Sequence, residues 1–66
     1  MGSTNWFHLT VDEILRETEK AFLLRIGDED VWIPFSQIAD HEDYQVGECG
    51  VGMSVSEWIA EQKGLL

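Results

Sequence analysis

Nine carboxylates of this 66-residue chain lie in one continuous stretch that has no basic side chain. They fall between Ile26 and Glu61, at Asp28, Glu29, Asp30, Asp40, Glu42, Asp43, Glu48, Glu57 and Glu61. The rest of the chain has four acids and four bases, so the net charge of −9 comes from this stretch. Such a surface repels nucleic acid and anionic membranes and attracts basic proteins. We therefore expect a basic partner and no direct contact with nucleic acid.

Two interpretations of the acidic stretch compete. It could be a solvated face that keeps a small protein soluble, or a mimic of the phosphate backbone. Duplex DNA carries one charge per roughly 1.7 Å of axis, so nine charges match about 15 Å of duplex. Because self-repulsion destabilises a small fold, and solubility could be met with fewer acids, we favour mimicry. The carboxylates that would stand for phosphates are Asp28, Glu29, Asp30, Asp40, Glu42, Asp43 and Glu48.

Aromatic residues near the acids are candidate anchors for a partner. Tyr44 lies inside the acidic segment and could add apolar contact. Trp32 is either the second wall of a barrel or an exposed anchor in an interface. We expect Trp58 in the core, and Trp6 over the end of the barrel.

The residue types that support catalysis or metal binding do not occur at suitable spacings. His41 has flanking carboxylates in "DHEDY", but neighbours in sequence do not converge on one ion, and "GDED" (27–30) lacks the later oxygens of a calcium loop. We find no Ser-His-Asp or Cys-His arrangement, and "GECGVG" has no nearby Lys. We expect His8 on the surface and Cys49 in the core. We expect no enzymatic activity, no metal ion and no cofactor.

Length and composition favour one domain, residues 1–66. The hydrophobic fraction is 44% and there are three tryptophans, which is typical of a folded globule. A single cysteine cannot form an intrachain disulfide, which fits a reducing cytoplasm. No apolar run approaches 18 residues, and the N-terminus has no basic region followed by an apolar one, so we expect neither a membrane span nor a signal peptide.

The elements that must position these residues are mainly strands. Alternation over 7–12 predicts a first strand, and Ile14 with Leu15 breaks its phase, which predicts a bulge or a second bend before Arg16. A helix over 11–24 is the main competing interpretation, since Glu and Lys favour helix. Alternation over 22–26 and 31–35 around the Gly/Asp turn predicts a hairpin. Because Pro34 has no N–H, we expect its strand to lie at an edge of the sheet or to leave the sheet there.

A fourth strand and a helix complete the chain. Cys49, Val51, Met53 and Val55 share one face of that strand, and small residues occupy the other. Ser54 and Glu57 have the spacing of a capping box, with Ser56 as an alternative cap, and Gly64 suits a left-handed helix end. We expect Trp58 and Ile59 to pack on the sheet.

The sequence thus predicts an α+β, mainly β fold: a small four-stranded antiparallel, strongly bent sheet or partial barrel with one short C-terminal helix. An exposed edge strand would leave dimerisation open, but we expect a monomer.

Two segments resemble small proteins encoded by bacteriophages and mobile elements. They are "ETEKAFLLRIGDEDVWIPFSQI" (residues 17–38) and "VSEWIAEQKGLL" at the C-terminus, together about half of the chain. In those proteins Lys usually stands at the position of Phe35 and Pro at that of Ser56. The resemblance implies a phage origin, and the loss of the lysine fits an acidic descendant. The profile of a very small acidic phage protein is also similar to that of anti-CRISPR and other DNA-mimicking inhibitors.

Together these features predict a phage-encoded inhibitor in the cytoplasm of a host bacterium. It would bind a basic nucleic-acid-binding surface of a host protein, most specifically as an anti-CRISPR protein against a multi-subunit surveillance complex. The alternative is a non-enzymatic accessory module of phage replication or recombination, binding a partner protein through the sheet edge near Trp32 and Pro34.

Overall fold

The computed structural model describes residues 5–65, and within them four strands precede one short helix. The strands are β1 (Trp6–Glu17), β2 (Ala21–Ile26), β3 (Glu29–Pro34) and β4 (Cys49–Ser56), and the helix is α1 (Glu57–Gln62). Two short 3₁₀ turns, Phe35–Gln37 and His41–Asp43, lie between β3 and β4. The predicted class, α+β and mainly β, is confirmed.

All neighbouring strands are antiparallel, in the order β3-β2-β1-β4. The long β1 pairs with β4 through its first half and with β2 through its second half. The register against β2 shifts between Ile14 and Arg16, which confirms the predicted bulge and the strand interpretation of this region. Because a bulge increases local twist, it allows one strand to serve both sides of a curled sheet.

The sheet curls into a partial barrel that stays unclosed. Pro34 is the last residue of β3, and the Phe35 N–H next to it donates to the Lys20 carbonyl at 2.7 Å. Only a few residues later, Ile38 forms a bridge with Val55, and the Ala39 N–H donates to the Ser54 carbonyl at 2.9 Å. The chain therefore leaves β3 at one edge of the sheet and reaches β4 at the other.

The concave face of the sheet holds the core. Its fully buried side chains are Phe22, Ile14, Leu24, Ile33, Met53, Val11 and Val55. Ile38 from the connection and Ile59 with Ala60 from α1 close the open side. Phe22 meets Phe35 edge to face, with ring centroids 4.9 Å apart. The alternating residues of the four strands thus converge on one cluster.

The helix begins two residues later than the capping box predicts. Ser54 lies within β4, where it pairs with His8, and β4 continues pairing with β1 as far as Ser56. Ser56 is the N-cap, and its Oγ accepts from the Ile59 N–H at 3.1 Å. The expectation of Ser54 as cap is therefore wrong, and the alternative at Ser56 is confirmed.

The C-terminal end of α1 follows the prediction. Gly64 has φ of 70°, its N–H donates to the Glu61 carbonyl, and the Leu65 N–H donates to the Ala60 carbonyl at 2.8 Å. This pair of hydrogen bonds defines a Schellman motif.

Two residues expected in the core are exposed instead. Trp58 is 58% exposed, because the six-residue helix turns Ile59 and Ala60 toward the sheet and leaves Trp58 outside. Cys49 is exposed because Gly50, with φ of 62°, interrupts the alternation that buries Met53 and Val55.

None of the helices in residues 5–65 is long and apolar enough to cross a membrane.

Candidate interaction surface

The tip of the β2–β3 hairpin is fixed against β1. Gly27 and Asp28 form a two-residue turn in which Gly27 has φ of 65°. The Gly27 N–H donates to the Asp12 carboxylate at 2.9 Å. Asp12, which lies outside the acidic stretch in the sequence, therefore joins the acids of the hairpin.

A row of charges crosses three strands beside this tip. Glu13 on β1 is opposite Arg25 on β2, which is opposite Asp30 on β3. Arg25 Nε is 3.1 Å from Asp30 Oδ1, and both side chains are 48% exposed. Since an exposed ion pair contributes little stability, this arrangement matters chiefly for where the charges lie.

Glu48 reaches the same end from the segment before β4. Its carbonyl accepts from the Ile14 N–H at 2.9 Å, and its carboxylate accepts from the Gln45 N–H. The next residue, Cys49, is opposite Glu13. We call the carboxylates gathered at this end the hairpin-end cluster: Asp12, Glu13, Asp28, Glu29, Asp30 and Glu48.

A second group of acids, the loop cluster, consists of Asp40, Glu42 and Asp43. All three are exposed, and Asp40 has φ of 56° at the start of the 3₁₀ turn. The turn is held by His41, whose ring stacks on Phe35 with centroids 4.2 Å apart. The loop cluster therefore has a defined backbone, and the chain around it runs beside β4.

Tyr44 anchors that loop to the sheet. Its hydroxyl donates to the Gly52 carbonyl at 3.0 Å, and its ring is half-buried against the core. Only part of the Tyr44 ring therefore remains for contact with a partner.

Trp32 on β3 is 42% exposed. Of the two interpretations of Trp32, the exposed position is the one observed, and the barrel-wall interpretation is wrong.

The opposite end of the sheet has mixed charge. The β1–β2 connection, residues 18–20, lies at the other end of β2 from the hairpin tip, and Arg16 and Lys20 accompany Glu17 and Glu19 there. A shallow cleft at this end is lined by Glu19, Lys20, Pro34, Phe35 and Ser36. Negative charge is thus concentrated away from this end.

The structure brings together four of the seven predicted phosphate mimics and places the other three in the loop cluster. Sequence reasoning missed Asp12 and Glu13 because their membership depends on which strands become neighbours. The outward phase of Asp12 in the alternation of β1 is the signal that could have indicated it. In the part of the chain that is described, no three His, Cys, Asp or Glu side chains are arranged to hold a metal ion.

Comparison with known proteins finds no matching family model, no matching curated protein and no matching solved structure. The functional proposal therefore depends on the fold and its charges.

Proposed function

We propose that this protein is a non-enzymatic inhibitor that binds the basic nucleic-acid-binding surface of a host protein by mimicking DNA. The observation that supports it best is the hairpin-end cluster, in which six carboxylates from three parts of the chain lie at one end of the sheet. A basic groove that reads phosphates attracts such a surface over a distance and orients it during encounter.

The dimensions of the molecule suit competition at a local site. Its principal extents are 35 × 23 × 17 Å, so the long axis equals about one helical turn of duplex, roughly 34–36 Å. A duplex of that length has about 20 phosphate charges, whereas this chain has a net charge of −9. The protein would block the part of a DNA-binding surface that makes the first contacts, and could not replace a long duplex.

The most specific version of the proposal is an anti-CRISPR protein, encoded by a phage and acting in the host cytoplasm on a multi-subunit surveillance complex. It rests on the resemblance to phage proteins and on the small, acidic profile. The same competition would apply to any host protein whose lysines and arginines read duplex DNA.

Matched charge reversals at the two ends of the sheet test the mimicry. We expect Asp28→Lys/Glu29→Lys to lose capture of a basic nucleic-acid-binding protein from bacterial lysate. Glu17→Lys/Glu19→Lys, with the same change in net charge, should retain it. Capture by the unaltered protein should decrease at high salt, because salt weakens contacts to phosphate-reading side chains. It should also decrease when duplex DNA is added, because DNA competes for the same side chains.

A third variant, Asp40→Lys/Glu42→Lys/Asp43→Lys, tests the loop cluster. If both clusters face the partner, this variant also loses capture of the partner. Its circular dichroism spectrum should stay that of the folded protein. Equal loss of capture in the Glu17/Glu19 control would show that net charge alone is responsible, and capture that survives every reversal would exclude mimicry.

A second candidate function is favoured by the exposure of Trp32 on the edge strand β3. As an accessory module of phage replication or recombination, the protein would bind a partner through this edge. Trp32→Ala would then weaken binding more than any charge reversal, and binding would persist at high salt because apolar contact is not screened.

A further inference from the structure

The outer edge of β3 has unpaired backbone groups at defined positions. Since the Phe35 N–H donates to the Lys20 carbonyl, alternate pairs along this ladder are hydrogen-bonded, among them Ile33 with Phe22 and Val31 with Leu24. Asp30 and Trp32 occupy the intervening positions, so their N–H and C=O groups point away from β2. Within residues 5–65 no other strand covers that side of β3.

Pro34 sets the limit of this edge. It also occupies an outward-facing position of the ladder, opposite Ala21, and it has no N–H to donate. The outward-facing donors of β3 are therefore those of Asp30 and Trp32, which fixes where an added strand could pair.

The side chains beside these groups specify what could pair there. Asp30 ends the row Glu13–Arg25–Asp30, whose charges alternate negative, positive, negative. Trp32 lies at the edge in the neighbouring row, opposite Leu23. Leu23 is half-buried and Trp32 is exposed, so this row brings apolar surface to the edge. A basic residue would continue the first row, and an apolar residue would cover Trp32 in the second.

We propose that this edge binds an extended segment of a partner protein as a fifth, antiparallel strand. The segment has an apolar residue opposite Trp32 and, two residues later, a lysine or arginine opposite Asp30. The inference rests on the second candidate function and is independent of phosphate mimicry. A second copy of this chain fits less well, because each copy has a net charge of −9 and the two would repel.

Synthetic peptides test the pairing directly. The probe is an eight-residue threonine peptide in which one position is valine and the position two residues later is lysine, so that both side chains lie on one face. We expect it to shift the amide resonances of Asp30 and Trp32 and to slow their hydrogen exchange. N-methylation of the peptide at the amides that face β3 should abolish binding, whereas N-methylation at the alternate amides should leave it unchanged. Equal effects of the two methylation patterns, or no binding at millimolar peptide, would refute the proposal.

Matched variants separate the contributions of the two side chains. Trp32→Ala should weaken peptide binding about tenfold or more, as for a central aromatic anchor. Trp58→Ala removes a tryptophan that is also exposed but lies on α1, and it should leave binding unchanged. Asp30→Asn should weaken binding mainly at low salt. Equal losses for Trp32→Ala and Trp58→Ala would contradict the assigned edge.

The loop-cluster variant distinguishes this inference from DNA mimicry. Asp40→Lys/Glu42→Lys/Asp43→Lys should keep the peptide affinity even if it loses a basic nucleic-acid-binding partner. Amide shifts at Asp30 and Trp32 on raising the protein concentration without peptide would show that a second copy occupies the edge, and would overturn the proposal.

Discussion

At the scale of single residues, the hydroxyl of Ser56 connects three parts of the fold. It accepts from the Ile59 N–H at 3.1 Å at the start of α1, and it donates to the side-chain oxygen of Gln37 in the connection between β3 and β4. The residue is 4% exposed, so water cannot replace these partners readily. One serine thus joins the end of β4, the helix and the segment that brings the sheet edges together.

We predict that Ser56→Ala lowers the free energy of unfolding by about 1–3 kcal/mol. Loss of an N-cap costs about 0.5–2 kcal/mol, and loss of the hydrogen bond to Gln37 adds about 0.5–1.5 kcal/mol. Urea denaturation followed by tryptophan fluorescence measures the change as a lower midpoint at constant slope.

Ser54→Ala is the matched control, because Ser54 was the cap predicted by the capping-box spacing. Its hydroxyl contacts His8 Nδ1 at the exposed surface, so we expect a smaller loss than for Ser56→Ala. A larger loss for Ser54→Ala would contradict the assigned start of α1.

At the scale of elements, two glycines of β4 have different roles although they are two residues apart. Gly50 has φ of 62°, and Gly52 does not have a positive φ. A Cβ added at either position would meet no atom within 4 Å. The two glycines therefore differ in backbone conformation and not in the space available for a side chain.

We predict that Gly50→Ala destabilises the protein by about 1–2 kcal/mol, the cost of a left-handed conformation for an L-residue. Gly52→Ala should be neutral or stabilising by about 0.4–1 kcal/mol, because alanine restricts the unfolded chain. Thermal and urea unfolding of the two variants measure this difference. Equal destabilisation would mean that Gly50 does not produce the phase change before Val51.

The elements also show how far local pattern determines this fold. Alternation identifies four strands, the phase break at Ile14 and Leu15 identifies the bulge, and Pro34 identifies the edge, because each depends on nearby sequence. Alternation cannot show where the backbone leaves the regular strand, so the prediction that Cys49 is buried is wrong. Helical spacing cannot show how a six-residue helix is rotated on the sheet, so the prediction that Trp58 is buried is also wrong.

The candidate surface is less predictable than the strands, because part of it depends on which strands become neighbours in the sheet. Asp28–Asp30 belong to a local turn, and the sequence identifies them directly. Asp12 and Glu13 join them only through the pairing of β1 with its neighbours, and such register is set by the whole core. Charge counted along the sequence therefore underestimates the charge at the hairpin end.

At the scale of the whole molecule, negative charge opposes folding. A 66-residue core is marginal, and the sheet places the six acids of the hairpin-end cluster together while its basic residues are mostly elsewhere. The Debye length decreases from about 30 Å at 0.01 M salt to about 3 Å at 1 M. Since the longest extent of the molecule is 35 Å, added salt removes most of the repulsion between its acids.

We predict that raising NaCl across this range increases the melting temperature by roughly 4–8 °C, which corresponds to about 1 kcal/mol in a domain of this size. Asp28→Lys/Glu29→Lys changes the net charge from −9 to −5 and relieves the hairpin-end cluster, so its melting temperature should depend on salt less than half as strongly. Glu17→Lys/Glu19→Lys has the same net charge but adds lysines beside Arg16 and Lys20, so it should keep most of the salt dependence. Differential scanning calorimetry of the three proteins measures these changes. Identical salt dependence in the two variants would show that repulsion is spread over the whole surface, and the hairpin end would then have no special field with which to attract a basic partner.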